Sequence, residues 1–337
     1  MTRLSFKTNA RLLLGVFLSV ILVGCSHSPV DPRSLHLEQA AVELVDVPFN
    51  PQTEYQCGPA ALATVLQYRG QAISPDDLVS QVYTPQKQGS LQVDMVASVR
   101  QQGLMPYPLA PSMQALLTEV SAGNPVLVMQ NLSFSWAPVW HYAVVIGYDI
   151  QQNELVLRSG ETRRWISRLA TFEKTWRRAD YWGLVIVDPS QLPQTANSQD
   201  WLKTAFDLEQ TRQTEKALTA YQTGFQAWPE SVGLGMALGN LWYAQADYPQ
   251  SARTFEQLSQ SHPQEASVWN NWAYALKALA CDLSALQAAQ CAQKLAPAQS
   301  YVQSTLSEMQ TEREQDAAHC PKVQCPLAAH NSKLIEN

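Results

Sequence analysis

Apolar positions along the chain change period several times, and each change predicts an element. "VELVDVPF" (42–49) alternates apolar with other residues and predicts a strand. "GPAALATVLQYRG" (58–70) has helical spacing and stops at Gly70, "SPDDLVSQVY" (74–83) opens with a Ser-Pro-Asp helix start, and "GSLQVDMVASVRQQG" (89–103) ends at a glycine. The pattern then shortens. "PVLVMQNL" (125–132), "WHYAVVIGYD" (140–149), "ELVLRSG" (154–160) and "YWGLVIVDP" (181–189) are brief, β-branched or aromatic runs between turn residues. They predict a mainly antiparallel sheet. A helical layer followed by a sheet layer is an α+β arrangement.

After "DPSQLPQTANSQD" (188–200), rich in Pro, Ser, Asn and Gln, the period is helical throughout. Pro229, Pro263 and Pro297 stand 34 residues apart, the period of the tetratricopeptide repeat. With each proline at the end of a unit, the packing positions fall on Trp201, Ala205, Leu208, Ala217 and Tyr221. The second unit has Leu238, Gly239, Trp242, Ser251 and Phe255, and the third has Trp269, Ala273, Leu276 and Ala285. Small residues at 205, 239 and 273 let paired helices approach, and large apolar ones fill the layer between units. "SYVQSTLSEMQTERE" (300–314) reads as a capping helix.

The first 25 residues are of another kind. Arg3, Lys7 and Arg11 precede the twelve-residue core "LLLGVFLSVILV", which is too short to span a bilayer, and "LVGC" follows. Leu22 to Cys25 resembles a bacterial lipobox. That resemblance implies cleavage before Cys25, acylation of its thiol and a lipid-anchored protein of the cell envelope. Ser26, rather than Asp, follows the cysteine, which by the same resemblance favours the outer membrane, with the protein facing the periplasm. The expected divisions are a signal peptide (1–24), a tether (25–35), an α+β domain (36–189), a linker (190–198), three repeats (199–297), a capping helix (298–316) and a polar tail (317–337).

Composition narrows the function classes. A net charge of -6, with 23 basic residues scattered along the chain, leaves no footprint for nucleic acid. Of the six cysteines, Cys25 is assigned to the lipid. Cys281, Cys291, Cys320 and Cys325 are expected to form two disulfides in an exported protein, with three pairings open, among them a Cys281–Cys291 staple within the third unit. Two alternatives remain there: free buried thiols, or a zinc site that also uses His319. Cys57 is left alone.

A cysteine nucleophile needs a stabilised thiolate, a base and oxyanion donors. Gly58-Pro59 sets Cys57 at the start of a helix, where the dipole is expected to lower its pKa. Between residues 36 and 189 the histidines are His36, close to the tether, and His141, which opens a strand after the aromatic loop "SFSWAPVW". His141 is the candidate base.

"VPFNPQTEYQCGPAALATVL" (47–66), followed by "PVLVMQNL" and "WHYAVVIGYD", resembles the bacteriocin-processing, double-glycine type of papain-like cysteine peptidase over about residues 44 to 189. The resemblance implies a papain-like fold with Cys57 as nucleophile and His141 as its acid/base partner. Gln52 is the implied oxyanion side chain, beside the backbone N–H of Cys57, and Gln56 is its rival. Relatives place Asp or Asn at the end of the next strand. Here that strand ends "LRSG", so Arg158 or Ser159 occupies the place, with Asp149 and Glu161 as nearby carboxylates. Ser159 is taken as the third member; its hydroxyl can orient an imidazole but cannot neutralise an imidazolium.

The expected architecture is therefore an α+β papain-like cysteine peptidase domain followed by an all-α tetratricopeptide-repeat solenoid. The expected activity is hydrolysis of peptide bonds at the envelope, without cofactor or metal, with the repeats recruiting a protein partner or substrate. No transporter segment with "GxxxxGK[ST]" accompanies it. Two other readings stay open: a catalytically inactive peptide-binding scaffold, and amidase or transglutaminase-like acyl transfer on the same pair.

Overall fold

The computed structural model describes residues 31–51, 56–310 and 316–325. The predicted signal peptide, Cys25, Gln52 and the tail from residue 326 lie outside them. No helix among the described residues is long and apolar enough to cross a membrane.

The N-terminal domain is built on one antiparallel sheet of seven strands. Its strands are β1 (Ala41–Glu43), β4 (Met105–Pro108), β5 (Val126–Asn131), β6 (Trp140–Asp149), β7 (Glu154–Ser159), β8 (Thr162–Arg168) and β9 (Gly183–Val187), in the order β4-β9-β5-β6-β7-β8, with β1 on the far end of β6. A two-stranded ribbon, β2 (Tyr83–Thr84) and β3 (Gly89–Ser90), stands apart. The sheet buries both faces, so its middle strands read as continuous apolar runs. One face carries α1 (Cys57–Tyr68), α2 (Pro75–Val82) and α3 (Gln92–Gln101), packed on Tyr142, Val144 and Ile146 of β6. The other carries α4 (Met113–Ser121) and α5 (Leu169–Arg177), packed on Ala143 and Val145. Helix α1 is buried at every position from Gly58 to Leu66, which explains its run of small apolar residues: it is a core helix, not a surface one. Helix α2 starts at Ser74 with a capping box to Asp77.

One predicted strand is shorter than its pattern. The alternation of "VELVDVPF" gives only Ala41–Glu43 as strand. Val47 is buried in a turn instead, and the buried Arg158 guanidinium donates to the Val45 and Val47 carbonyls. The side chain of β7 thus replaces the ladder hydrogen bonds that a longer β1 would have made.

The C-terminal half is a stack of helix pairs: α6 (Ser198–Gln210) with α7 (Thr214–Ala227), α8 (Val232–Ala244) with α9 (Tyr248–Ser261), and α10 (Ala266–Ala278) with α11 (Asp282–Leu295), closed by α12 (Ser300–Glu308). The small positions work as their spacing implies. A Cβ on Gly239 would lie 2.6 Å from the Phe255 ring. Trp201 is fully buried and its indole N–H donates to the Ala220 carbonyl at 2.7 Å.

The two halves share one continuous core. Tyr107 of β4 packs on Trp201 of α6 with ring centroids 6.4 Å apart, and its hydroxyl accepts from the Asn197 N–H, the cap of that helix. Fully buried Glu119 of α4 accepts from Thr195 Oγ1 at 2.6 Å, from the backbone N–H groups of Gln194 and Thr195, and from Asn124 Nδ2. Arg100 and Asp207 add an ion pair across the junction. The linker "DPSQLPQTANSQD" is thereby held against the first domain by one buried carboxylate.

The third repeat carries the two expected disulfides in one of the three open pairings, and the other readings of its cysteines fall away. Disulfides join Cys281 to Cys320 and Cys291 to Cys325. The Cys281–Cys291 staple and the free thiols are thus both replaced by bonds that strap the C-terminal segment onto α11. His319 lies close to Cys281 and Cys320, but these two sulfurs are bonded to each other and are not thiolate ligands, which removes the zinc arrangement. The described part of the predicted polar tail, 317–325, is packed: Val323 lies on the core, and Ser284 Oγ donates to the Pro321 carbonyl. Just before it, the Asp316 carboxylate accepts from the Leu283 and Ser284 N–H groups at the start of α11. A carboxylate at a helix N-terminus satisfies donors that the helix cannot.

Candidate active site

Cys57 is the first residue of α1, with Gln56 as cap and Pro59 in the first turn. Gly58 is required by what lies above it, because a Cβ there would fall 2.1 Å from Ser90 Oγ. The ribbon β2–β3 therefore presses directly on the start of the helix. On its sheet side the Cys57 sulfur meets the backbone of Tyr142, the residue next to His141 on β6. Cys57 and His141 line one open cleft of about 1050 Å3, whose other walls are Lys87 to Gln92 on one side and Pro138 to Tyr142 on the other.

His141 is the second residue of β6, after an aromatic loop pinned at its base. Asn131 Oδ1 accepts from the Ser133 and Val139 N–H groups, and Arg178 donates to the Ser133 carbonyl at 2.6 Å. Nε2 of His141 lies 2.8 Å from Ser159 Oγ. Strand geometry separates the two candidates of "LRSG". Val144 pairs with Arg158, so the next step along β7 sets Ser159 on the face and at the diagonal of His141, while Arg158 points oppositely to Val45 and Val47. Asp149 sits at the far end of β6, opposite Ala41 and Glu154. Glu161 lines the cleft at the β7–β8 turn. Gln56 is half-buried at the helix cap.

Burial is the larger influence on Cys57 and raises its pKa, while the backbone N–H groups at the helix start, Gly58 and Cys57 itself, and that of Tyr142 lower it and offset only part of the rise. Burial likewise pushes His141 below its ordinary value of 6.5. Both shifts favour neutral forms, so the resting pair is a thiol and an imidazole. The Tyr142 phenol is also driven up by burial and stays protonated, donating to the Ser90 carbonyl at 3.2 Å.

That contact belongs to a wall that sequence reasoning missed. Ser90 closes over Gly58, and its buried Oγ has no partner among the described residues. Nothing in the pattern of "KQGSLQ" (87–92) separates it from an ordinary turn before a helix.

Residues 44–183 match the Peptidase_C39 like family. The N-terminal domain is C39-like. A protein described as a C39-like peptidase from Bacillus anthracis resembles this domain at 18% identity over 44% of this chain and 98% of that one, with a TM-score of 0.38. The peptidase domain of Streptococcus ComA, a bi-functional ABC transporter involved in quorum sensing, resembles it at 21% identity over 42% and 98%, with a TM-score of 0.34. Beyond the C39-like domain, the first TPR domain of human RPAP3 is similar at 12% identity over 33% of this chain and 88% of that one, with a TM-score of 0.32. No curated protein matches the chain.

Proposed function

We propose that this protein is a cysteine peptidase in which Cys57 is the nucleophile, His141 the acid/base and Ser159 the positioning residue. The observation that carries the reading is the joint placement of Cys57 and His141 on one cleft, with Nε2 of His141 held by Ser159 at 2.8 Å. With Nε2–H donating to Ser159, Nδ1 keeps its lone pair for the thiol. The thiol is neutral at rest, so its proton passes to Nδ1 as Sγ attacks the scissile carbonyl carbon. The oxyanion is received by the backbone N–H of Cys57 and the side chain of Gln52. Collapse breaks the C–N bond, and the imidazolium gives its proton to the departing amine. Water, deprotonated by His141, then cleaves the thioester, releasing the acid and restoring the thiol.

In this reading Cys25 carries a lipid that ties the protein to the envelope, at the outer membrane on its periplasmic side. The disulfides of the third repeat suit an oxidising compartment. The repeats, joined to the C39-like domain by a shared core, recruit a protein partner or substrate. The test is labelling with a thiol-directed peptide electrophile. Modification confined to Cys57, and lost in His141→Ala while the protein stays folded, supports the reading; labelling of His141→Ala at the wild-type rate refutes it.

A further inference from the structure

Past His141 the cleft opens into a second cavity of about 550 Å3. His141, Gly160 and Glu161 line both spaces, whereas Cys57 lines the first. The second is walled by Leu132, Leu157, Trp165 and Ile166. Its polar lining includes Gln130, whose Nε2 donates to Thr175 Oγ1 at 2.6 Å. Gln130 is 7% exposed and Leu157 1% exposed, so this part of the lining is built into the core, while Leu132, Trp165 and Ile166 are 50%, 52% and 36% exposed. Ser159 also lines this cavity, so the His141–Ser159 hydrogen bond forms part of the partition between the two spaces.

The order of bond breaking says which part of a substrate faces each space. The acyl portion becomes attached to the Cys57 sulfur, and the amine portion leaves with a proton from His141. The chain on the amine side of the bond must therefore run along His141 and away from Cys57. Resting on the peptidase reading above, we infer that the second cavity is the subsite for the first residue on the leaving-group side and that it selects a large apolar or aromatic side chain. Four large apolar walls reward such a side chain on burial. Glu161 and Arg168, the charged residues of the lining, are exposed. At the buried inner end the Gln130–Thr175 pair is satisfied internally, so a charged side chain reaching Gln130 and Leu157 would lose its water without a partner there. A filled subsite also removes water from the His141–Ser159 bond, which strengthens it. Selection by an apolar pocket of this kind is worth about 10- to 200-fold in kcat/KM.

The experiment exposes the full chain to a proteome-derived peptide library and reads the cut sites by mass spectrometry. Leu, Met, Phe and Trp are expected at the first position after the cut at least about tenfold above Asp, Glu and Lys. In Thr171→Trp, which fills the cavity from α5, that ratio is expected to fall below about twofold; Trp165→Ala, which removes a wall, lowers it less. The ratio is internal to each digest and survives a partial loss of activity. Wild-type cleavage without this preference, or a ratio unchanged in both variants, overturns the subsite and leaves the peptidase reading standing. No cleavage of any peptide by the wild type overturns both.

Discussion

Removing the Ser159 hydroxyl tests how much the unusual third member contributes. Ser159→Ala deletes one hydrogen bond of 2.8 Å to a largely buried imidazole. Removing one partner and leaving the buried Nε2–H unsatisfied costs about 1–3 kcal/mol. At about 1.4 kcal/mol per tenfold, the rate falls by about 5- to 140-fold. That is well short of the ~10,000-fold attached to a triad carboxylate, because a serine never supplied the charge. Ser159→Asp adds the missing charge beside His141, so the imidazolium is stabilised and the His141 pKa rises. The assay is carbamidomethylation of Cys57 by iodoacetamide between pH 5 and 10, read at the Cys57 peptide by mass spectrometry, which needs no knowledge of substrate. A Ser159→Ala rate within twofold of wild type, or a loss as complete as that of His141→Ala, would refute the assigned role.

Three further outcomes follow from the geometry. The base acts only when unprotonated, and burial lowers the His141 pKa, so wild-type Cys57 alkylation should lose rate only as pH falls through a value below 6.5; in His141→Ala the remaining reaction should climb only above pH 9, since the Cys57 pKa is raised above its ordinary 9.0. Glu119→Ala leaves the donors of Thr195, Gln194 and Asn124 without their acceptor, which should cost about 3 kcal/mol in denaturant unfolding and open residues 190–197 to early proteolysis. Dithiothreitol opens loops closed across 39 and 34 residues, so the repeat helices should melt at lower denaturant by circular dichroism, each lost bond costing about 2–5 kcal/mol.

Much of the architecture was legible because it is periodic. The 34-residue spacing of Pro229, Pro263 and Pro297 marks three helix pairs, and "WHYAVVIGYD" coincides with β6 residue for residue. The helix start at Cys57 was legible from Gly58-Pro59. The choice between Arg158 and Ser159 was not, because it depends on the register of β7 against β6 rather than on either strand alone. The disulfide partners were hidden for a related reason: Asp316 and Pro321 bring the tail to α11 through contacts made over more than 30 residues of chain. Glu119 looks like any surface acid of an amphipathic helix until Thr195 and Gln194 meet it. The net direction of the Cys57 shift was not legible, because the helix terminus that lowers it is visible in sequence, whereas the burial that outweighs it is a property of the assembled cleft.

The most direct measurement of the central claim is the appearance of new peptide termini when the full chain is incubated with envelope peptides. Wild type should generate them, and Cys57→Ala and His141→Ala, both folded, should generate none. The same termini from Cys57→Ala, or none from wild type, would contradict it.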